Sequence, residues 1–451
     1  MRSALNDMDA SGADAACRQQ SGKVAQTNPT ERNGSTAIAA PGPVLAGERD
    51  RVSKLRIAVL SSVFPSPGQP LHGLFVRERM FRVAKHADIV VIAPLPWFPG
   101  QSILARFKAA FRPGAPACEM QDGIQVHHPR FLSFPGFLKF LDGPMEAIAV
   151  YFCLRRLGEC DRLDLIDSHF VHPDGVAAWL VGRRLGVPYT ITLRGQLAWL
   201  PKTRLRMALA RRAMAGAAMI FSVSASLRQA AIDLGVAPKR VRVMANGVNL
   251  TKFYPEDRAM ARQRLGLHRE DIVVISVGGL SERKGFHRVI EVLPQLVARF
   301  PRLRFLIAGG ATPEGDWGPR LREMTRELLL DDHVRFLGPL PPDELRAAYS
   351  SADVFVLATR MEGWANVLLE ASACGLPIVT TDVGGNREVV SSDELGIVVP
   401  YGDAGALRDA MAASLTRTWD RARIRQHAIE NSWESRIPIL VAALSEAAGA
   451  R

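Results

Sequence analysis

Glu362 and Glu370, with seven residues between them, bracket the stretch Glu362-Gly363-Trp364-Ala365-Asn366-Val367-Leu368-Leu369-Glu370. The apolar run Val354–Leu357 before it reads as a strand, and the run ending at Cys374-Gly375-Leu376-Pro377 reads as a helix. One carboxylate then lies in a strand-to-helix loop and the other on the helix. Between them lie backbone N–H groups at a helix N-terminus, which attract anions. The pattern suits a ligand with both phosphates and sugar hydroxyls. A solvated glutamate pair at a helix start is the simpler alternative for the spacing alone. With the helix starting near Trp364, Asn366 and Glu370 share a face.

Two further stretches follow strand-like runs in the same way. Val277-Gly278-Gly279-Leu280-Ser281-Glu282-Arg283-Lys284-Gly285 opens a helix, and Arg283 or Lys284 can neutralise a diphosphate. It is not a Walker loop, because the G-x-x-x-x-G-K-[ST] pattern is absent. Thr380-Thr381-Asp382-Val383-Gly384-Gly385-Asn386-Arg387-Glu388 holds a two-glycine turn, with Glu388 placed to cap the next helix.

The elements that position these groups repeat along the chain. Short apolar runs, each the length of a buried parallel strand, begin at Leu55–Leu60 and recur at 88–93, 163–168, 188–193, 218–223 and 241–244. The series pauses at Asn246-Gly247-Val248-Asn249 and resumes at 272–277, 304–308, 333–337, 354–357, 377–380 and 396–399. Helix-like segments separate many of them, and that alternation predicts two α/β halves. In such halves ligands bind beyond the carboxyl ends of strands, so the cleft between them is the expected site.

At 451 residues the chain exceeds one ordinary core. A composition of 47% hydrophobic and 23% charged residues is globular, which excludes fibrous and fully disordered classes. The net charge of +12 calls for an anionic partner. Cys17, Cys118, Cys153, Cys160 and Cys374 are scattered without metal-ligand spacing, and a reduced cytoplasmic compartment is expected. No apolar run reaches the ~18 residues that span a bilayer, and no signal peptide is read at the N-terminus. Residues 1–53 read as a disordered tail. The Asp7-Met8-Asp9 triplet in it resembles a metal-holding D-x-D but lacks a preceding strand.

In their order, Val223-Ser224-Ala225-Ser226-Leu227, Asn246-Gly247-Val248, Lys284-Gly285, the Glu362/Glu370 stretch and Gly384-Gly385 resemble glycosyltransferase family 4. The resemblance runs from about Leu55 to the C-terminus. It implies the GT-B fold, with two Rossmann-like α/β/α domains and a cleft between them. The expected division is an acceptor-side domain over 54–248 and a nucleotide-sugar-binding domain over 249–430, with a helix over 431–451 packing back on the first.

It also implies a retaining, metal-independent hexosyltransferase using a UDP- or GDP-sugar as co-substrate, with no cofactor. By resemblance, Lys284 contacts the donor diphosphate, Glu362 the sugar hydroxyls and Glu370 the ribose hydroxyls. Backbone amides of Gly363, Trp364, Ala365, Asn366 and Val367 face the phosphates. His72 and Gly73 belong to the acceptor loop.

Two positions depart from the family pattern. Gly279 stands where arginine is frequent, so Arg283 is the candidate substitute. Arg194 stands where a histidine is frequent, and His169 and His172 are the nearby candidates for polar or acid/base work. Arg194 cannot act as a base and is expected to hold phosphate or acceptor. A sugar-nucleotide epimerase or hydrolase, and a nucleotide-sugar-binding protein with weakened catalysis, remain alternatives at this point.

Between Asp174 and Asp233 there are nine basic residues (Arg183, Arg184, Arg194, Lys202, Arg204, Arg206, Arg211, Arg212 and Arg228) and no acidic one. A second acid-free interval, from Asp88 to Glu119, mixes Trp97, Phe98, Ile103, Leu104, Phe107 and Phe111 with Arg106, Lys108 and Arg112. Such segments suit an anionic membrane surface, where a glycan or polyprenyl- or lipid-linked acceptor for exopolysaccharide assembly is reached. No nucleic-acid motif accompanies the charge, so nucleic acid is not expected as a partner.

Overall fold

The computed structural model describes residues 54–101, 114–134, 136–195, 197, 203–312 and 314–450. The tail reading, the Asp7-Met8-Asp9 triplet, Lys202 and the segment from Ile103 to Arg112 lie outside the described residues.

The first domain holds β1 (Arg56–Leu60), β2 (Asp88–Ile92), β3 (Leu95–Trp97), β4 (Cys118–Gln121), β5 (Ile124–His127), β6 (Arg130–Leu132), β7 (Leu165–His169), β8 (Tyr189–Leu193), β9 (Met219–Ser222) and β10 (Val241–Val243). Eight of them form one sheet in the order β10-β9-β8-β7-β1-β2-β5-β4. All neighbours are parallel except the β4–β5 pair. β1, β7, β8 and β9 are buried almost throughout. β1 and β9 are mainly apolar, whereas β7 and β8 also bury Asp167, Ser168, His169, Thr190 and Thr192.

Alternate side chains of these strands enter two cores. Ala58, Leu60, Ile166, Ile191 and Ile220 meet the helices Asp142–Arg156, Val176–Leu185 and Arg204–Gly216 on one side. Ile57, Val59, Leu165 and Phe221 meet the helices Leu74–Val83 and Trp433–Ala448 on the other. The last helix of the chain thus packs on the first domain. The chain returns there beside the linker, where Val248 N–H donates to Asn431 O at 3.3 Å and Trp433 N–H to Val248 O at 3.1 Å.

The second domain holds β11 (Ile272–Val277), β12 (Leu303–Ala308), β13 (Val334–Gly338), β14 (Val354–Leu357), β15 (Ile378–Thr381) and β16 (Gly396–Val399). They form an all-parallel sheet in the order β13-β12-β11-β14-β15-β16. Strand order reverses between β11 and β14, the crevice at which doubly wound sheets bind ligands. The loop after β11 carries Arg283 and Lys284, and the loop after β14 carries Glu362. The reversal therefore brings together two stretches far apart in the chain. Among the described residues no helix is long and apolar enough to cross a membrane.

Candidate active site

A cleft cavity of about 570 Å³ opens between the domains. The second domain lines it with Arg283, Lys284, Glu314 and the run from Met361 to Val367, with Glu370. Phe75, Arg194, Gly195, Val223 and Asn246 face them from the first domain and the linker.

Glu362 is the hub. Its Oε1 accepts from Lys284 Nζ at 2.6 Å, from Arg283 Nη1 at 3.2 Å and from Thr359 Oγ1 at 3.2 Å. Arg283 also donates to Met361 O at 2.9 Å, and its Nε and Nη2 pair with the two Glu314 oxygens at 3.0 Å each. Two cations thus stand against two carboxylates. Each cation is charge-paired rather than held desolvated without a partner.

The loop holding Glu362 depends on a glycine elsewhere. Gly384 has φ 55°, and a Cβ there would stand 1.8 Å from Glu362 O. The Gly384-Gly385 turn is the floor on which the Glu362 backbone rests. The following helix starts at Asn366, later than the position near Trp364 read from sequence, because Ala365 is still extended at φ −88°, ψ 95°. Ala365, Asn366 and Val367, at the start of this helix, line the cavity, and a helix N-terminus attracts anions. Glu370, on the same helix, is held by Tyr349 Oη at 3.2 Å, and burial pushes its carboxyl up to about 7.

Across the cleft, Arg194 is held on three sides. Nε donates to His169 Nδ1 at 3.2 Å, Nη1 donates to Asn246 Oδ1 at 3.1 Å, and the guanidinium lies 4.9 Å from the Phe75 ring centroid. Nη2 is buried without a hydrogen-bond partner. Burial and the nearby Arg79 guanidinium push Arg194 well below the usual arginine range, while Asp167 opposes them. Because Arg194 only donates, Asn246 must present its oxygen to it. The Asn246 Nδ2 then donates to Asn366 Oδ1 at 3.0 Å, which leaves the Asn366 amide N–H groups for the cavity. A continuous hydrogen-bond path therefore joins the end of β7, the end of β8, the linker and the helix that begins at Asn366.

The histidines are placed differently from the expectation. His169 has no exposed surface and sits behind Arg194 rather than on the cavity wall. Its Nδ1 accepts from Arg194, so the proton lies on Nε2, 3.4 Å from Asp167 Oδ2. Burial, then Arg194 and Arg79, push its pKa well below the usual histidine value. It supports Arg194 through that hydrogen bond. His172 is 4% exposed and is pushed down to about 4, chiefly by burial. It also stands off the wall, as do His72 and Gly73, although Gly73 opens the helix that delivers Phe75.

Gly279 likewise does not line the cavity. A Cβ there would lie 2.1 Å from Thr312 Cγ2, so the loop after β12 occupies the space a side chain at 279 would need. The same loop carries Glu314 to Arg283. Glu388 caps a helix, but one of the other domain: its two oxygens accept from Ala225 N–H at 2.8 and 2.9 Å. Glu314, Thr359, Tyr349, Asn246 and Phe75 were not singled out as site residues. Only Glu314, just beyond a strand and Gly309-Gly310, and Asn246, in the linker, carry a local signal.

Comparison with known proteins bears on the family and the fold. Residues 257–431 match the family described as "Glycosyl transferases group 1", and residues 109–252 match "Glycosyltransferase Family 4". The chain is 31% identical over 352 residues to the D-inositol 3-phosphate glycosyltransferase of Geodermatophilus obscurus, covering 74% of this chain and 78% of that one. It is 28% identical over 363 residues to TuaC of Bacillus subtilis, provisionally named a teichuronic acid biosynthesis glycosyltransferase, covering 79% and 88%. The structure of Anabaena Alr3699/HepE in complex with UDP and glucose superposes with a TM-score of 0.68 at 19% identity, over 87% of this chain and 99% of that one. With its two Rossmann-like domains and the cleft motifs between them, the chain belongs to glycosyltransferase family 4 and has the GT-B fold.

Proposed function

We propose that the protein is a retaining hexosyltransferase that moves a sugar from a UDP- or GDP-sugar to a glycan or lipid-linked acceptor. We place it in surface polysaccharide assembly, at the cytoplasmic face of the membrane. The observation that carries this reading is the convergence of Lys284 and Arg283 on Glu362 at a helix N-terminus, with Arg194 opposite. The names of the matched relatives support transfer to a phosphorylated or cell-surface acceptor.

The donor diphosphate takes over Lys284 and Arg283 and lies against the amides from Gly363 to Val367. Arg283 supplies the charge absent at Gly279. Glu362, released from its cations, accepts hydrogen bonds from the sugar hydroxyls, and Glu370 accepts from the ribose. The bond from sugar C1 to the phosphate oxygen breaks, and its electron pair stays on that oxygen. Lys284, Arg283 and the helix N-terminus stabilise this charge without a metal ion. The acceptor oxygen attacks C1 from the same face, and its proton passes to the departing phosphate oxygen. No side-chain base is needed, which suits a cavity whose histidines lie off the wall.

A thermal-shift series with UDP, GDP and their common sugars, followed by transfer from the stabilising labelled donor into a membrane extract, tests the reading. Stabilisation by one nucleotide family and label in a glycan or lipid fraction are expected. Absence of stabilisation by every nucleotide refutes the site. Release of free sugar or of an epimer without transfer refutes the reaction.

A further inference from the structure

Three neighbouring helices cover one side of the first sheet: Asp142–Arg156, Val176–Leu185 and Arg204–Gly216. Their inner faces hold the core residues Val150, Leu154, Ala178, Val181, Ala210 and Met214. Their outer faces are unusual in charge. Arg155, Arg183, Arg184, Arg204, Arg211 and Arg212 are exposed, and no carboxylate in the three helices is. Glu146 is fully buried, and half-buried Asp142 accepts from Lys139 Nζ at 3.1 Å. Among the arginines stand exposed apolar side chains: Ile148 and Phe152 one helical turn apart, and Leu205. Phe137 and Leu138, 56% and 43% exposed, lie on the turn that leads into the first helix.

We propose that this face docks on an anionic phospholipid bilayer. Guanidinium groups pair with headgroup phosphates while Ile148, Phe152 and Leu205 enter the boundary with the acyl chains. Single exposed apolar residues are ordinary, but their mixture with one sign of charge matches a lipid surface. A second copy docked by the same patch would set arginines against arginines, which disfavours a symmetric dimer here. A nucleic-acid backbone would use the arginines and leave the exposed apolar side chains without a partner.

The face extends to the segment after β7. The turn Lys139–Leu141 packs against the helix Arg204–Gly216 and against the segment after β7 that holds His172. An acceptor carried in the bilayer would come to the first domain from this edge. Only that last step rests on the lipid-linked acceptor proposed above.

Sedimentation of the full chain with lipid vesicles tests the docking face. One set is phosphatidylcholine alone, and the other is one part phosphatidylglycerol to two parts phosphatidylcholine. Binding to the second set alone, weakening with salt, is expected. Arg204→Gln/Arg211→Gln/Arg212→Gln should weaken it by roughly 100-fold, because three guanidinium groups no longer pair with headgroup phosphates. Ile148→Ser/Phe152→Ser should weaken it by roughly tenfold or more while the salt dependence remains. Both variants change exposed residues and should keep wild-type circular dichroism and UDP binding. Absence of wild-type binding to the anionic vesicles overturns the proposal. So does undiminished binding by the arginine variant, or dimerisation that either variant abolishes. Vesicle binding as expected without any nucleotide binding would refute the donor site and leave the docking face standing.

Discussion

If the donor binds as proposed, Lys284→Ala removes the cation best placed for the leaving diphosphate. Lys284 Nζ has Glu362 Oε1 at 2.6 Å, whereas Arg283 is spread over Glu362, Met361 O and Glu314. Lys284 therefore gives up one carboxylate to reach the donor, and Arg283 gives up more. A hydrogen bond to a charged group contributes about 1.5–3 kcal/mol, and each 1.36 kcal/mol is about tenfold in rate. The variant should lose roughly 10- to 150-fold in kcat/KM for the nucleotide sugar. Part of the loss should fall on kcat, because negative charge on the phosphate oxygen grows as the C1–O bond breaks. Labelled-donor transfer at saturating acceptor measures kcat/KM, and calorimetry with the free nucleoside diphosphate measures ground-state binding. Glu362 remains held by Arg283 and Thr359, so the loop should not collapse, and an unchanged melting temperature is the control. Unchanged kcat/KM with unchanged nucleotide affinity would refute the role given to Lys284, and with it the direction in which the donor lies.

Gly384→Ala should destabilise the protein by at least about 1–2 kcal/mol, since the left-handed conformation is strained for alanine and the added carbon meets Glu362 O. Thermal denaturation checks this, and a wild-type melting temperature with wild-type turnover would contradict it. Asn246→Leu leaves Arg194 Nη1 and Asn366 Oδ1 without their shared partner and should cost roughly 1–3 kcal/mol, seen more in kcat than in donor KM. Loss of donor binding alone would count against the path through the linker. Glu370 titrates near 7 and accepts hydrogen bonds best when ionised, so nucleotide affinity should fall as pH drops below about 7. The sign for stability is opposite. A carboxyl raised by burial favours folding when protonated, and that benefit is lost as pH rises through about 7. Glu370→Gln should therefore flatten the pH profile of binding and gain roughly 1–3 kcal/mol in denaturation at pH 8.

Much of the second-domain side of the cleft was legible in the sequence because it is built from short windows. A buried parallel strand is mostly apolar, so β11, β14 and β16 could be read residue by residue. β3 to β6, short and partly exposed, lack that pattern and were not read as strands. The site loops follow strands and contain glycines where backbone approaches backbone. Lys284-Gly285, Glu362-Gly363 and Gly384-Gly385 were therefore visible as candidates before any contact was known.

What the sequence by itself determined is the alternation of strands and helices, the two-domain division and the chemistry carried just past the strand ends. These follow from local rules of burial and turn geometry. What only the tertiary structure decided is which of those groups meet. The strand-order reversal brings Arg283 and Lys284 to Glu362, though 78 or more positions separate them in the chain. Closure of the domains sets Asn246 between Arg194 and Asn366, and Glu388 against Ala225. Burial set His169 behind Arg194, whose Nε donates to it. A side chain's exposure and partners depend on everything packed around it, and no window of sequence contains those neighbours.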